Sequence, residues 1–239
     1  VNADPEEEPM PPAFYDVLAP LIADEPHTAG WMLGLAGARS APVAGAVTLL
    51  RPGWPRWPDP HDADAQVRLE FADGTARIAV CKVLSAWNEQ IRYSLPAIMG
   101  FAFEEHRLPV CALLVCGSDA LADRYRAGVD VGPDSFMAVT AVGPAGFPDL
   151  ATCAGPWSAP TAVAAAAVRR GPAAGMEEPF VAALDRWLGA FEPERAAAYA
   201  EGLLGLLDAG SARLLREVAG SGARPYHAAM GAAPAVKGS

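Results

Sequence analysis

Phe14, Val17, Leu18, Leu21 and Ile22 recur at helical spacing and predict an amphipathic helix over 13–24. A second short helix is expected from His27 to Leu35, with Thr28 in its N-cap region. The period then changes. APVAGAVTLL (41–50) suits a strand, and RPGWPRWPDPHD (51–62) interrupts regular structure with four prolines. In AQVRLEF (65–71), Val67, Leu69 and Phe71 alternate with Arg68 and Glu70, as in a strand with one buried face. Asp73–Gly74 is a hairpin turn signal, so ARIAVCKVL (76–84) is read as the returning strand. Residues 88–105 place Ile91, Leu95, Ile98 and Ala102 on one helical face; Pro96 either kinks this helix or marks its start, because it has no amide hydrogen to give. PVCALLVCG (109–117) is continuously apolar, like a strand buried on both faces. A short helix at 120–126, capped by Ser118 or Asp119, and a strand at FMAVTAVGP (136–144) complete the series. This order indicates a mixed α/β layer.

Beyond Pro160 only the helical period remains, over 161–170, 178–191, 194–208 and from a cap near Ser211 to Val218. Phe180, Leu184, Trp187, Leu188 and Phe191 form one stripe, and Pro193 suits a first turn. The expected organisation is an acidic disordered tail at 1–12, an α/β core with N-terminal helices at 13–157, a helical region at 158–222 and a flexible tail at 223–239.

Composition narrows the partners. The net charge of −10 argues against tight non-specific nucleic-acid binding. The acidity is concentrated: residues 1–38 hold seven acids and no Lys or Arg, and the remainder carries 18 basic and 21 acidic residues. This balance favours a protein partner or self-association and leaves nucleic acid open. No apolar run approaches the ~20 residues that span a bilayer, and the N-terminus lacks the basic and apolar regions of a signal peptide. The expectation is a cytoplasmic protein with no membrane partner.

The chemistry-bearing residues are few. Cys81, Cys111, Cys116 and Cys153 form no CxxC pair and have no zinc spacing with His27, His61, His106 or His227; buried reduced thiols are the plain reading. No phosphate-binding GxxxxGK[ST], no GxGxxG after a strand, no GxSxG and no HExxH occurs, so no nucleotide cofactor is expected. His61 stands among Asp59, Asp62 and Asp64, a loop that could recruit a hard cation. Asp64 differs from the others because it opens a strand. The Trp54 and Trp57 turns offer a recognition surface, or else cover a core edge.

The stretch DADAQVRLEFADGTARIAVCKVL, followed by NEQIRYSLPAIM and LPVCALLVCGSDALADRYR, resembles a group of actinobacterial proteins related to the recombination-promoting, transposase-like nucleases of the PD-(D/E)xK superfamily. The resemblance also takes in the paired helices at 13–36 and the segment PERAAAYAEGLLGLLDAGSARLLREV, and so covers most of 13–227. It implies a restriction-endonuclease-like mixed-sheet core with helices before it and a helical region after it. In that group an Asp opens the first hairpin strand, a Glu-x-Gln or Glu-x-Lys follows on the next, and a basic–aromatic pair begins the helix beyond. Asp64 matches the first acid, and Arg92–Tyr93 match the basic–aromatic pair. The second acid falls on Cys81 and the Gln/Lys position on Val83.

Two acids on adjacent strands can converge on a Mg²⁺ or Mn²⁺ ion that activates water, and a side chain two residues further along shares their face. Cys81 is a poor ligand for such ions. Lys82 points away from Cys81, and a one-residue slip that aligns Lys82 puts Val80 at the acid position. Glu70 shares the Asp64 face but lies ~20 Å along the strand. The site residues Asp64, Cys81 and Lys82, with Arg92, Tyr93, Trp54 and Trp57 for binding, therefore read as a degenerate nuclease site retained for binding or assembly, with no cofactor. Two alternatives stand: an active divalent-metal nuclease using Asp64, and a different enzyme on the same fold using Cys81 as nucleophile or the Asp59–Asp64 cluster.

Overall fold

The computed structural model describes residues 11, 13–37, 42–50, 63–71, 73–133, 135–153 and 157–232. The chain divides into two compact units, Val1–Phe147 and Pro148–Ser239. The division falls ten residues before the boundary expected at 157/158.

In the first unit, helices α1 (Ala13–Asp24) and α2 (His27–Leu35) precede three strands, β1 (Pro42–Leu50), β2 (Ala65–Phe71) and β3 (Ala76–Leu84). Helix α3 (Gln90–His106), strand β4 (Val110–Cys116), helix α4 (Asp119–Arg126), strands β5 (Val129–Gly132), β6 (Ser135–Met137) and β7 (Thr140–Val142) follow. A five-stranded sheet runs β1-β2-β3-β4-β7. Its first three strands are antiparallel neighbours; β4 lies parallel to β3 and β7 parallel to β4. Parallel neighbours need crossovers, and α3 and α4 provide them. The Asp73–Gly74 turn makes the β2–β3 hairpin: Gly74 takes φ 79°, and the Asp73 carboxylate accepts from the Thr75 N–H at 2.9 Å and hydroxyl at 2.7 Å.

The expected alternation sorts the faces of the sheet. Ile78, Val80 and Leu84 of β3, with Ala112, Leu114 and Cys116 of β4, pack with Ile91, Leu95, Ile98 and Ala102 of α3 and Leu121, Ala122 and Tyr125 of α4. Helices α1 and α2 pack on the sheet through Phe14, Val17, Leu18, Leu21, Ile22 and Met32, all buried. Burying each such side chain contributes about 1.5–3 kcal/mol.

Several elements differ from expectation. The apolar run 136–144 is two short strands, because the chain leaves the β5–β6 pair and joins the main sheet only at Thr140. Pro96 lies inside α3, which continues through it from Gln90 to His106. Thr28 is buried within α2 rather than capping it; Pro26 holds the cap position without a side-chain bond. Ser118 does cap α4, accepting from the Leu121 N–H at 3.1 Å.

The second unit contains α5 (Ala159–Arg169), α6 (Glu177–Leu188), α7 (Pro193–Leu204), α8 (Ala209–Gly220) and α9 (Pro225–Ala232). Ser158 and Thr161 form a capping box at the start of α5. The cap of α8 is Asp208, three residues before Ser211: its carboxylate accepts the Ser211 N–H at 2.9 Å and hydroxyl at 2.8 Å. Helix α9 occupies residues expected in a flexible tail, and its Tyr226 and His227 are buried. No helix among the described residues is long and apolar enough to cross a membrane.

Candidate functional site

Asp64 immediately precedes strand β2, where the hairpin ladder becomes irregular. Ala65 pairs with Cys81, Val67 with Ala79 and Leu69 with Arg77. The hydrogen-bonded partners are the odd-numbered residues, as the Phe71 N–H to Thr75 carbonyl bond at 2.9 Å indicates. The next donor on β3 is the Val83 N–H, which a regular ladder would pair with the carbonyl of residue 63. Here the Asp64 carboxylate takes that place: its Oδ2 accepts the Val83 N–H at 2.6 Å, and the Asp64 N–H donates to the Cys81 carbonyl at 2.9 Å. Oδ1 accepts the Tyr15 hydroxyl at 3.3 Å, which ties α1 to the mouth of the hairpin.

Burial pushes the Asp64 carboxyl above the usual carboxylate range, against the opposing pull of the Val83 N–H, the nearby Lys82 charge and the Tyr15 hydroxyl. Burial and the Asp64 charge push the Tyr15 hydroxyl up as well. Lys82 is 7% exposed. It lies on the β3 face opposite Cys81, as alternation requires, and neighbours Asp64 across the strand pair.

Cys81 is fully buried, and burial drives its thiol far above the ordinary cysteine value. The thiolate that nucleophilic chemistry needs is thereby disfavoured; its Sγ lies 3.9 Å from the Ala79 carbonyl. Val83 is buried beside it. All four cysteines are free thiols, with Cys153 exposed.

A divalent ion of the kind the resemblance implies prefers several oxygen ligands. Among the described residues this position offers one carboxylate, already accepting two hydrogen bonds, beside a buried thiol and a valine. That donor set does not fit Mg²⁺ or Mn²⁺. Glu70 does not complete it: it sits six residues along β2, opposite Ala76, and pairs with Arg68 at 3.0 Å. No group of three or more His, Cys, Asp or Glu that could hold a metal ion is found among the described residues.

Arg92 and Tyr93 begin α3, as the sequence indicates. Arg92 pairs with Glu89 at 3.3 Å, and Tyr93 is 70% exposed. Trp54, Trp57, Asp59, His61 and Asp62 lie outside the described residues.

Two features of this region were not expected from the sequence. Tyr15 stands 49 positions from Asp64, and nothing local marks the pair. Beyond β3, Trp87 stacks on Tyr125 with ring centroids 4.7 Å apart, and the Arg124 guanidinium lies 3.7 Å from the Trp87 ring. Tyr125 accepts the Asn88 N–H at 3.1 Å and donates to the Asn88 carbonyl at 3.2 Å. Ligands of α/β sheets commonly approach the carboxyl ends of parallel strands; at the end of β3 this cluster braces the loop onto α4. Comparison of the chain with protein-family models, curated proteins and solved structures finds no match.

Proposed function

We propose that this chain is a restriction-endonuclease-like protein whose catalytic strand has lost its second acid, and that it acts as a binding or assembly module for a protein partner, a second copy of the chain included. One observation carries the reading: the Asp64 carboxylate accepts the Val83 N–H at 2.6 Å and so completes a β-ladder. An acid with that role stabilises the fold whether or not it ever meets a metal. The order of antiparallel hairpin, helix, parallel strand, helix, parallel strand supports the same ancestry. Binding is supported by the exposed aromatic residues of α3, Tyr93 at 70%, Phe101 at 43% and Phe103 at 54%.

The test is a pair of measurements on the full chain. Single- and double-stranded DNA and RNA incubated with Mg²⁺ or Mn²⁺ should remain intact with wild type and with Asp64→Asn alike. Sedimentation should show self-association, or a defined complex with a protein partner, that Tyr93→Ser and Phe103→Ser weaken. Metal-dependent cleavage that disappears in a folded Asp64→Asn protein would overturn the first part. A monomer with no partner would overturn the second.

A further inference from the structure

The buried side chains of α9, among its described residues, both end on one carboxylate. They are Tyr226 and His227, 1% and 5% exposed; Pro225 and Ala228 are exposed, and Ala229 and Met230 half-buried. The Tyr226 hydroxyl donates to Asp185 Oδ1 at 2.7 Å, and His227 Nε2 meets the same oxygen at 2.9 Å. Arg224, just before the helix, donates from Nε to Asp185 Oδ2. His227 Nδ1 accepts the Arg224 N–H at 3.3 Å. With Nδ1 accepting, the ring proton sits on Nε2 and points at the carboxylate. The Arg224 side chain crosses Gly189, where an added Cβ would come within 3.0 Å of Nη1.

Dependence runs both ways. Asp185 lies on the buried face of α6, where a carboxylate without donors is costly. An isolated helix as short as α9 does not persist in water, so α9 relies on its packing against α7 and α8 and on its hydrogen bonds to Asp185 of α6. The chain reaches it through Ser221, Gly222 and Ala223, all exposed, with Gly222 at φ 67°. The Tyr226 ring is the large buried side chain among the described residues of α9, and the polar contacts that hold it and its neighbours meet at one residue.

We propose that α9 is a detachable latch: it docks and undocks as one piece with Asp185 as its catch, while α5, α6 and α7 stay folded. Undocking breaks the Arg224, Tyr226 and His227 bonds to Asp185 together.

Native-state hydrogen exchange on the full chain, read by peptide, tests this. In wild type, amides of 225–232 should be at least about tenfold less protected than those of α5, α6 and α7. Asp185→Asn should lower protection of 225–232 on the order of ten- to a hundredfold, with under about threefold change in α5 and α7. Arg224→Ala, at a half-exposed side chain, should loosen the same segment to a smaller degree, and it serves if Asp185→Asn does not fold. Exchange of α9 in step with α5 and α7 in wild type overturns the proposal. So does a variant that loosens the whole unit equally, or one that leaves 225–232 unchanged.

Discussion

Asp64 is partly buried and Asp185 buried, and their environments push their carboxyls in opposite directions. At Asp64 burial dominates and the carboxyl titrates above its ordinary value. The folded state therefore holds this proton more tightly than the unfolded chain does. The contribution favours folding below the ordinary carboxylate range and is lost as pH rises through the raised value. At Asp185 burial also pushes upward, but hydrogen bonds from Tyr226, Arg224 and His227, with the Arg224 charge, outweigh it and hold the carboxyl low. That contribution is present above the ordinary range and is lost as pH falls through the depressed value. Substitutions at Asp64 separate the two things its carboxylate does. Asp64→Ala leaves the Val83 N–H without its acceptor and should cost about 1–3 kcal/mol in chemical denaturation. Asp64→Asn keeps an acceptor oxygen without the buried charge and should stay within about 1 kcal/mol of wild type near neutral pH. Equal losses in both variants would show that charge, not the ladder contact, is what the fold uses. The sequence marks Asp64 because an acid stands at a strand mouth. It does not show the side chain turning back onto Val83, since that depends on where the chain departs from the ladder at residue 63.

The elements that were legible are those whose period and punctuation agree. The β2–β3 hairpin follows from alternation plus Asp73–Gly74, and α1 from one apolar stripe. Where signals conflict, tertiary context decides: Pro96 argues against a helix interior, yet the apolar face of α3 packs across it, and the β6–β7 break has no Gly or Pro to announce it. Helix α9 was hidden for a further reason, since its anchoring depends on an acid some 40 positions earlier. Close approach between elements also fixes individual glycines. Gly171 has φ 154°, and a Cβ there would lie 2.2 Å from Asp208 Oδ2, the carboxylate that caps α8. Gly171→Ala should therefore displace the cap and lose about as much stability as Asp208→Ala, ~1–2 kcal/mol, as thermal or urea unfolding would measure. In the double variant the losses should be less than additive, because both remove the same contact. Full additivity would mean that the two positions act independently.

On the scale of the whole molecule, the α/β class and the sheet followed by helices were legible because strand and helix periods occupy different parts of the chain. The candidate site was legible only in part. Pattern and order located Asp64, Cys81 and Lys82 on neighbouring strands, but whether they make a site depends on burial and direction, which a linear pattern does not carry. The folded chain gives Cys81 to the core, Asp64 to the ladder, and Lys82 to a buried position on the other face from Cys81. A protein so arranged has a mixed sheet that, among the described residues, lacks the paired acids that would gather a divalent ion on it. Manganese binding measures this most directly: the paramagnetic resonance signal of free Mn²⁺ titrated with wild type and with Asp64→Asn. The account predicts the same signal for both proteins. A loss of free Mn²⁺ with wild type that Asp64→Asn abolishes, in a protein that remains folded, would contradict it.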